Sequence, residues 1–169
     1  MDLYVVRHGE AVRYAPAGDA DRPLTEQGAR QVEAVARGLR GLGVELDALL
    51  ASPFRRAQET AQILAEGLGG RLAPETERVL DGTANAAAIL QHLAHAVRSR
   101  ARVAIVGHQP VLGELIGLAS AGAGGGAVAL APACVARLAF PASARVGGAQ
   151  LVWLLPPEVL ERIGLPPGA

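Results

Sequence analysis

Short, continuous apolar segments limit the folds open to this chain more than any other feature of its sequence. Residues 3–6 and 103–106 are runs of four apolar residues, and a further strand candidate spans Leu46 to Ala51. Strands that are apolar on both faces are typical of a parallel sheet covered by helices on both sides. Because segments with helical spacing alternate with these runs, the sequence predicts an α/β fold. We expect three layers, α/β/α, with a mainly parallel central sheet.

The starts of the predicted helices follow from capping signals. Thr25 is a candidate N-cap for the first helix, with Glu26 in its first turn. Ser52 and Pro53 predict the start of the second helix, as an N-cap followed by proline at the first helical position. The other predicted elements are a helix over about Asn85 to Arg98, a short helix after Pro110, and strands at Val135 to Phe140 and Leu151 to Leu155.

Length and charge bound the domain count and the class of partner. The chain has 169 residues, with 16 Lys and Arg against 16 Asp and Glu. This length predicts one domain over residues 1–169, and the balanced charge gives no reason to expect nucleic acid as a partner. The single Cys134 excludes an internal disulfide framework and favours a reducing cytoplasm. The sequence does not indicate the oligomeric state, and we assume a monomer.

One uncharged stretch, from Leu115 to Ala136, is long enough on paper to cross a membrane. Several glycines and Pro132 interrupt it, and sequence rich in alanine and glycine is a poor match for lipid. We therefore expect no membrane span, and a strand-like run at Leu3 argues against a secretory signal. We interpret Gly122 to Gly126 as a mobile connection, and its position at the rim of a site is a hypothesis. It lacks the Lys-Ser/Thr pair of a nucleotide-binding loop.

Histidines and arginines follow the ends of three predicted strands. These are the segments Arg7-His8-Gly9, Ser52 to Arg56 and Gly107-His108. Ligands of parallel α/β sheets bind outside the carboxyl ends of the strands, so we expect these segments to converge. Two histidines and two or three arginines would form a cationic pocket in a chain of zero net charge. Such a pocket suits a phosphoryl group, whose oxygens accept paired hydrogen bonds from guanidinium groups.

Together these motifs resemble the histidine phosphatase superfamily, the phosphoglycerate-mutase-like group. Arg7-His8-Gly9-Glu10 is similar to its first motif, Ser52 to Ala57 to its second arginine motif, and Gly107-His108 to its second histidine. Within the superfamily, Arg22 to Thr25 and His108-Gln109-Pro110 resemble the small bacterial SixA-type phosphohistidine phosphatases. The likeness extends from Leu3 to about Pro157.

The resemblance implies a role for each matched residue. His8 would be the nucleophile that accepts the phosphoryl group as a phosphohistidine intermediate. Arg7 and Arg56 would bind the phosphoryl oxygens, and His108 would add a hydrogen bond or charge to the transferring group. We favour a solvated helix position for Arg55. No metal or other cofactor is expected, because arginines and histidines supply the positive charge.

The proton donor decides between two substrate classes. An alkoxide leaving group is a strong base, and Asp81 is the one carboxylate near a turn in the segment where the superfamily supplies its acid. Asp81 is equally a candidate turn residue before Gly82. Because the P–N bond of phosphohistidine needs less acid catalysis, the main hypothesis is a phosphatase that acts on phosphohistidine, on a phosphorylated protein, through His8. The alternatives are a phosphatase of small phosphate monoesters with Asp81 as donor, and a non-catalytic phosphate-binding protein.

Overall fold

A six-stranded sheet forms the centre of the molecule in a computed structural model that describes residues 1–97 and 100–165. The strand order is β3-β2-β4-β1-β5-β6. The strands are β1 (Asp2–Arg7), β2 (Ala48–Ala51), β3 (Glu75–Thr76), β4 (Arg102–Gly107), β5 (Val135–Ala139) and β6 (Gln150–Leu155).

The sheet is mainly parallel, as the sequence predicts. β1 pairs in parallel with β4, β4 with β2, and β2 with β3. β5 is antiparallel to both of its neighbours, β1 and β6. Among the strands described, β5 therefore runs against the other five.

Within the described residues, five α-helices cover the two faces of the sheet and complete the predicted three layers. They are α1 (Glu26–Gly41), α2 (Arg55–Gly67), α3 (Ala86–Ala96), α4 (Val111–Ala121) and α5 (Pro157–Ile163). One face packs against α3 and α4, and the other against α1, α2 and α5. Each face of the sheet has its own hydrophobic core, and alternate residues of β1 pack into one or the other. Leu3 and Val5 belong to the core on the side of α3 and α4, and Tyr4 and Val6 to the core on the opposite side.

The predicted helix starts had different outcomes. Thr25 caps α1, and its side chain accepts a hydrogen bond from Gly28 N. The prediction that Ser52 is an N-cap is wrong, because α2 begins at Arg55 and its N-cap is Phe54. The Ser52 hydroxyl instead accepts from Phe54 N within a tight turn, which delays the helix.

Several boundaries also differ from the sequence predictions. The second strand begins two residues later than predicted, at Ala48. The third predicted helix ends at Ala96, and Arg98 lies outside the described residues. A 3-10 turn at Gly122–Gly124 follows α4. The two-residue β3 and the short α5 had no sequence prediction.

No helix in residues 1–97 and 100–165 has both the length and the apolar character needed to span a bilayer.

Two glycines let α1 approach the segment that follows β1. A Cβ atom on Gly28 would lie 2.1 Å from the Glu10 carbonyl oxygen, and one on Gly9 would lie 2.7 Å from Val32 Cγ2. Both distances are far below van der Waals contact. The first turn of α1 therefore packs directly on the backbone that carries His8.

We predict that Gly28→Ala destabilises the fold, because the added methyl group must displace the Glu10 backbone. The expected loss is about 1–3 kcal/mol, or a melting temperature roughly 3–10 °C lower, by thermal unfolding. Gly124→Ala is the matched control, since a Cβ there meets no atom within 4 Å. An unchanged melting temperature for Gly28→Ala would contradict this packing.

Candidate active site

Three strand ends meet at one edge of the sheet. His8 N donates to the Gly107 carbonyl at 3.1 Å, and Ser52 N donates to the Val106 carbonyl at 2.9 Å. Because β4 lies between β1 and β2, these bonds place His8, His108 and Ser52 just beyond three adjacent strands. The structure thus brings together the histidines that the sequence singled out.

The hydrogen bonds of His8 define its tautomer. Nδ1 lies 2.7 Å from the Gly9 carbonyl oxygen, which only accepts, so Nδ1 carries the proton. The opposite nitrogen, Nε2, accepts a hydrogen bond from Arg56 Nε at 3.2 Å. The lone pair of Nε2 therefore faces the Arg56 guanidinium group.

The surroundings of His8 keep its ring neutral. Burial lowers the pKa of His8 to about 4, and the charges of Arg56, Arg7 and Arg22 act in the same direction. The hydrogen bond to Gly9 opposes this shift but does not cancel it. At neutral pH Nε2 therefore keeps its lone pair, which can attack an electrophile once Arg56 Nε–H releases it.

Arg56 is the most enclosed cation at the site, with its side chain only 6% exposed. Besides its bond to His8, its Nη1 donates to the Asp19 carbonyl at 2.7 Å and its Nη2 to Asp19 Oδ2 at 3.1 Å. The guanidinium carbon lies 4.9 Å from the centre of the Phe54 ring. Neighbouring Arg55 is half exposed and pairs with Glu59 at 2.8 Å, so it is a solvated helix residue.

His108 is buried beside His8, with 5.1 Å between the ring centres. Its Nε2 shares a 2.7 Å hydrogen bond with Ser52 Oγ, and Phe54 stacks at a tilt 5.0 Å away. Its Nδ1 is buried and finds no partner among the described residues. Burial lowers the pKa of His108 to about 3, with His8 and Arg56 contributing in the same direction.

Arg7, the last residue of β1, completes the set. Its Nη1 donates to the Leu130 carbonyl at 2.5 Å. A shallow groove beside it is lined by Gln109, Pro110 and residues 127–130. The chain that leaves the Gly122–Gly126 segment therefore reaches the site at Leu130.

Asp81 lies next to the site but is engaged in a turn. Its Oδ1 accepts from Thr83 N at 2.8 Å and from Thr83 Oγ1 at 2.6 Å. These bonds, with smaller contributions from His108 and Arg78, lower the pKa of Asp81. A Cβ on Gly82 would lie 3.8 Å from the His108 ring, so the turn borders the pocket. In this arrangement Asp81 is an ionised turn residue and holds no proton to donate.

Two residues at the site were not identified from their own sequence pattern. Arg22 Nε lies 2.7 Å from Asp19 Oδ1, and the charge of Arg22 contributes to the lowered pKa of His8. Arg22 entered the sequence argument only through the family resemblance. Asp19 carried no signal, because it belongs to an irregular connection whose path spacing does not indicate.

The arrangement combines an unprotonated imidazole nitrogen with three guanidinium groups and a second neutral histidine. Guanidinium groups bind the oxygens of a tetrahedral anion, and His8 Nε2 can attack its central atom. Across the described ranges, no three or more His, Cys, Asp and Glu side chains group closely enough to hold a metal ion. The chemistry that fits is transfer of a phosphoryl group to His8.

Comparisons with known proteins show the family of the chain. The family model of the histidine phosphatase superfamily (branch 1) matches residues 3–82. An uncharacterized protein of Picosynechococcus is 40% identical over 119 residues, which cover 68% of this chain and 70% of that protein. The phosphohistidine phosphatase SixA of Escherichia coli K12 is 32% identical over 120 residues, which cover 69% of this chain and 72% of SixA.

A solved structure extends the likeness over nearly the whole chain. It is that of the protein histidine phosphatase SixA complexed with tungstate, which superposes with a TM-score of 0.85 and 26% sequence identity. The superposition covers 95% of this chain and 99% of the SixA chain. On these matches, the chain belongs to the histidine phosphatase superfamily.

Proposed function

We propose that this chain is a phosphatase that removes the phosphoryl group from phosphohistidine through a covalent intermediate on His8. The observation that carries the proposal is the neutral His8 ring, with its proton on Nδ1 and its Nε2 lone pair against Arg56. The similarity to SixA, a phosphohistidine phosphatase, supports the substrate class.

In the first step, Arg56 Nε–H, which donates to His8 Nε2 in the free enzyme, transfers its hydrogen bond to a phosphoryl oxygen and frees the Nε2 lone pair. His8 Nε2 then attacks phosphorus, a new N–P bond forms and the P–N bond of the substrate breaks. The substrate imidazole leaves as a neutral ring, because its other nitrogen already carries a proton. Arg7 and Arg56 bind the equatorial oxygens, where negative charge is spread in the transition state.

The hydrogen-bond partner of each histidine supports this step. His8 becomes positively charged when Nε2 is phosphorylated, and the Gly9 carbonyl stabilises that charge at Nδ1–H. His108, anchored through Nε2 by Ser52, has Nδ1 left to contact the transferring group. In the second step, water attacks phosphorus, inorganic phosphate leaves, and His8 returns to its neutral form.

The state of Asp81 favours phosphohistidine over a phosphate ester. An alkoxide needs a proton as it leaves, and Asp81 is held ionised by Thr83. Imidazole leaves more readily and relies less on an acid of the protein. The monoester phosphatase remains the second candidate, because the Asp81 turn borders the His108 ring.

We further propose that the phosphohistidine belongs to a protein and that the enzyme acts as a monomer in the cytoplasm. The open groove beside Arg7 supports a protein substrate, since it leaves room for a side chain that projects from a folded surface. The free, buried Cys134 is compatible with a reducing compartment.

We predict that His8→Ala lowers turnover of a phosphohistidine peptide at least about 1,000-fold, because the variant lacks the nucleophile. In the wild type, ³¹P NMR after an alkaline quench should show phosphate on His8. His95→Ala, which alters an exposed histidine of α3, is the matched control and should keep wild-type activity. Full activity in His8→Ala would disprove the mechanism, and a wild type that binds phosphate without forming a phosphoenzyme would indicate the non-catalytic alternative.

We also predict that His8 titrates well below an ordinary histidine. The charged form is disfavoured by burial, so the ring should stay neutral as the pH falls from 8 to 5 and gain its second proton near pH 4. ¹⁵N NMR of labelled protein measures this, and the spectrum of His8→Asn identifies the His8 signals. A midpoint near 6.5, the value for an exposed histidine, would contradict the proposed environment.

The substrate class is tested by comparing a phosphohistidine peptide with a panel of phosphate monoesters. We expect kcat/KM for the peptide to exceed that for every ester by at least about tenfold, and Asp81→Asn to change the peptide rate less than about twofold. Asparagine keeps the turn, since its side-chain oxygen still accepts from Thr83. Comparable ester rates that fall about 100-fold in Asp81→Asn would establish the monoester alternative.

A further inference from the structure

Asp19 holds the most buried cation of the site from a surface loop. It lies in a 3-10 turn, Asp19–Asp21, within the connection between β1 and α1, and its side chain is 60% exposed. Its carbonyl oxygen and its Oδ2 both accept hydrogen bonds from Arg56, at 2.7 and 3.1 Å. Burial opposes ionisation, but the bond and charge of Arg56, with those of Arg22, lower the pKa of Asp19 overall.

The two contacts occupy one particular edge of the guanidinium group. A planar guanidinium has an end edge, formed by Nη1 and Nη2, and a side edge, formed by Nε and Nη2. Asp19 accepts from both nitrogens of the end edge. The side edge faces the nucleophile, since Nε donates to His8 Nε2 at 3.2 Å.

We propose that Asp19 is a positioning residue which, by holding the end edge of Arg56, presents the side edge to the phosphoryl group at His8 Nε2. This inference rests on the proposed function and assigns a residue that neither the mechanism nor the family comparison required. Asp19 touches no reacting atom. It acts by fixing the orientation of the guanidinium group that does.

The same carboxylate also holds a second cation. Asp19 Oδ1 lies 2.7 Å from Arg22 Nε, and Arg22 Nη1 donates to the Val12 carbonyl at 3.0 Å. The two oxygens of one carboxylate therefore join Arg56 to Arg22. An asparagine cannot repeat this, because its single side-chain oxygen serves one arginine while its NH₂ group faces the other.

The position of Asp19 has an electrostatic cost. A negative charge next to two arginines weakens the attraction of the pocket for an anion. Removal of the charge should therefore strengthen the binding of free phosphate while the loss of alignment slows phosphoryl transfer. A residue with a purely structural role would weaken both together.

The test compares Asp19→Asn with Asp21→Asn. Asp21 lies in the same turn, and its carboxylate is 3.9 Å from the exposed Arg55. Among the described residues its side chain forms no hydrogen bond or ion pair with Arg56 or Arg22, so Asp21→Asn is the matched control. For each variant we would measure kcat on a phosphohistidine peptide, the melting temperature, and the Kd of inorganic phosphate and of vanadate. Vanadate becomes five-coordinate on a nucleophile and so resembles the transferring group.

In Asp19→Asn we expect kcat to fall about 10- to 100-fold and vanadate to bind about tenfold more weakly, because Arg56 is misaligned. Phosphate should bind equally well or up to about fivefold more tightly. Asp21→Asn should match the wild type in all four measurements. Asp19→Glu keeps the charge on a longer side chain, so its kcat should lie between those of the wild type and Asp19→Asn. It replaces Asp19→Asn in the test if that variant does not fold.

The inference is overturned by a wild-type kcat in Asp19→Asn, by an equal loss of phosphate and vanadate binding, or by the same changes in Asp21→Asn. If Asp19→Asn accelerates turnover, the carboxylate competes with the substrate instead of aligning Arg56, which also overturns it. Failure of the proposed function is a separate outcome, in which the wild type does not hydrolyse the peptide. In that case the ratio of vanadate affinity to phosphate affinity in each variant still decides the role of Asp19.

Discussion

The buried guanidinium group of Arg56 is the interaction on which the site depends. A charge that is removed from water is tolerated only when its donors are satisfied, and the donors of Arg56 reach two different parts of the chain. One is His8, just after β1, and the other is the connection that precedes α1. Arg56 itself projects from the first turn of α2. A single side chain thereby joins three segments that the sheet alone would leave independent.

Burial and positive charge together explain why two histidines stay neutral in a pocket made for an anion. Both rings lose hydration when they are packed between the strand ends, and the nearby arginines disfavour a further proton. The zero net charge of the chain does not reveal this, because acids such as Glu45 and Asp47 lie beside Arg102, at the opposite end of β4 from His108. The pocket can therefore attract a phosphoryl group without protonating the nitrogen that attacks it.

The sequence was sufficient for features set by chain order and hydrophobic pattern. The apolar runs 3–6 and 103–106 predict the parallel strands, and their carboxyl ends predict the convergence of His8 with His108. The start of α2 was mispredicted because Ser52 has two competing uses, as a helix cap or as a partner of His108, and only the tertiary structure selects the second. Asp19 was missed for a similar reason, since its contacts join residues 37 positions apart through a loop without periodicity.

The turn Asp81-Gly82-Thr83 belongs to the connection between β3 and α3, whereas Arg7 and His8 lie at the end of β1 and Arg56 lies in α2. Leu80, just before the turn, is buried in the core, but no strand begins or ends within the connection. Changes confined to the turn therefore alter the pocket wall beside His108 without replacing a residue of the strand ends. Grafting a longer acidic turn at this point would offer protein engineers a route to new leaving groups on an unchanged scaffold.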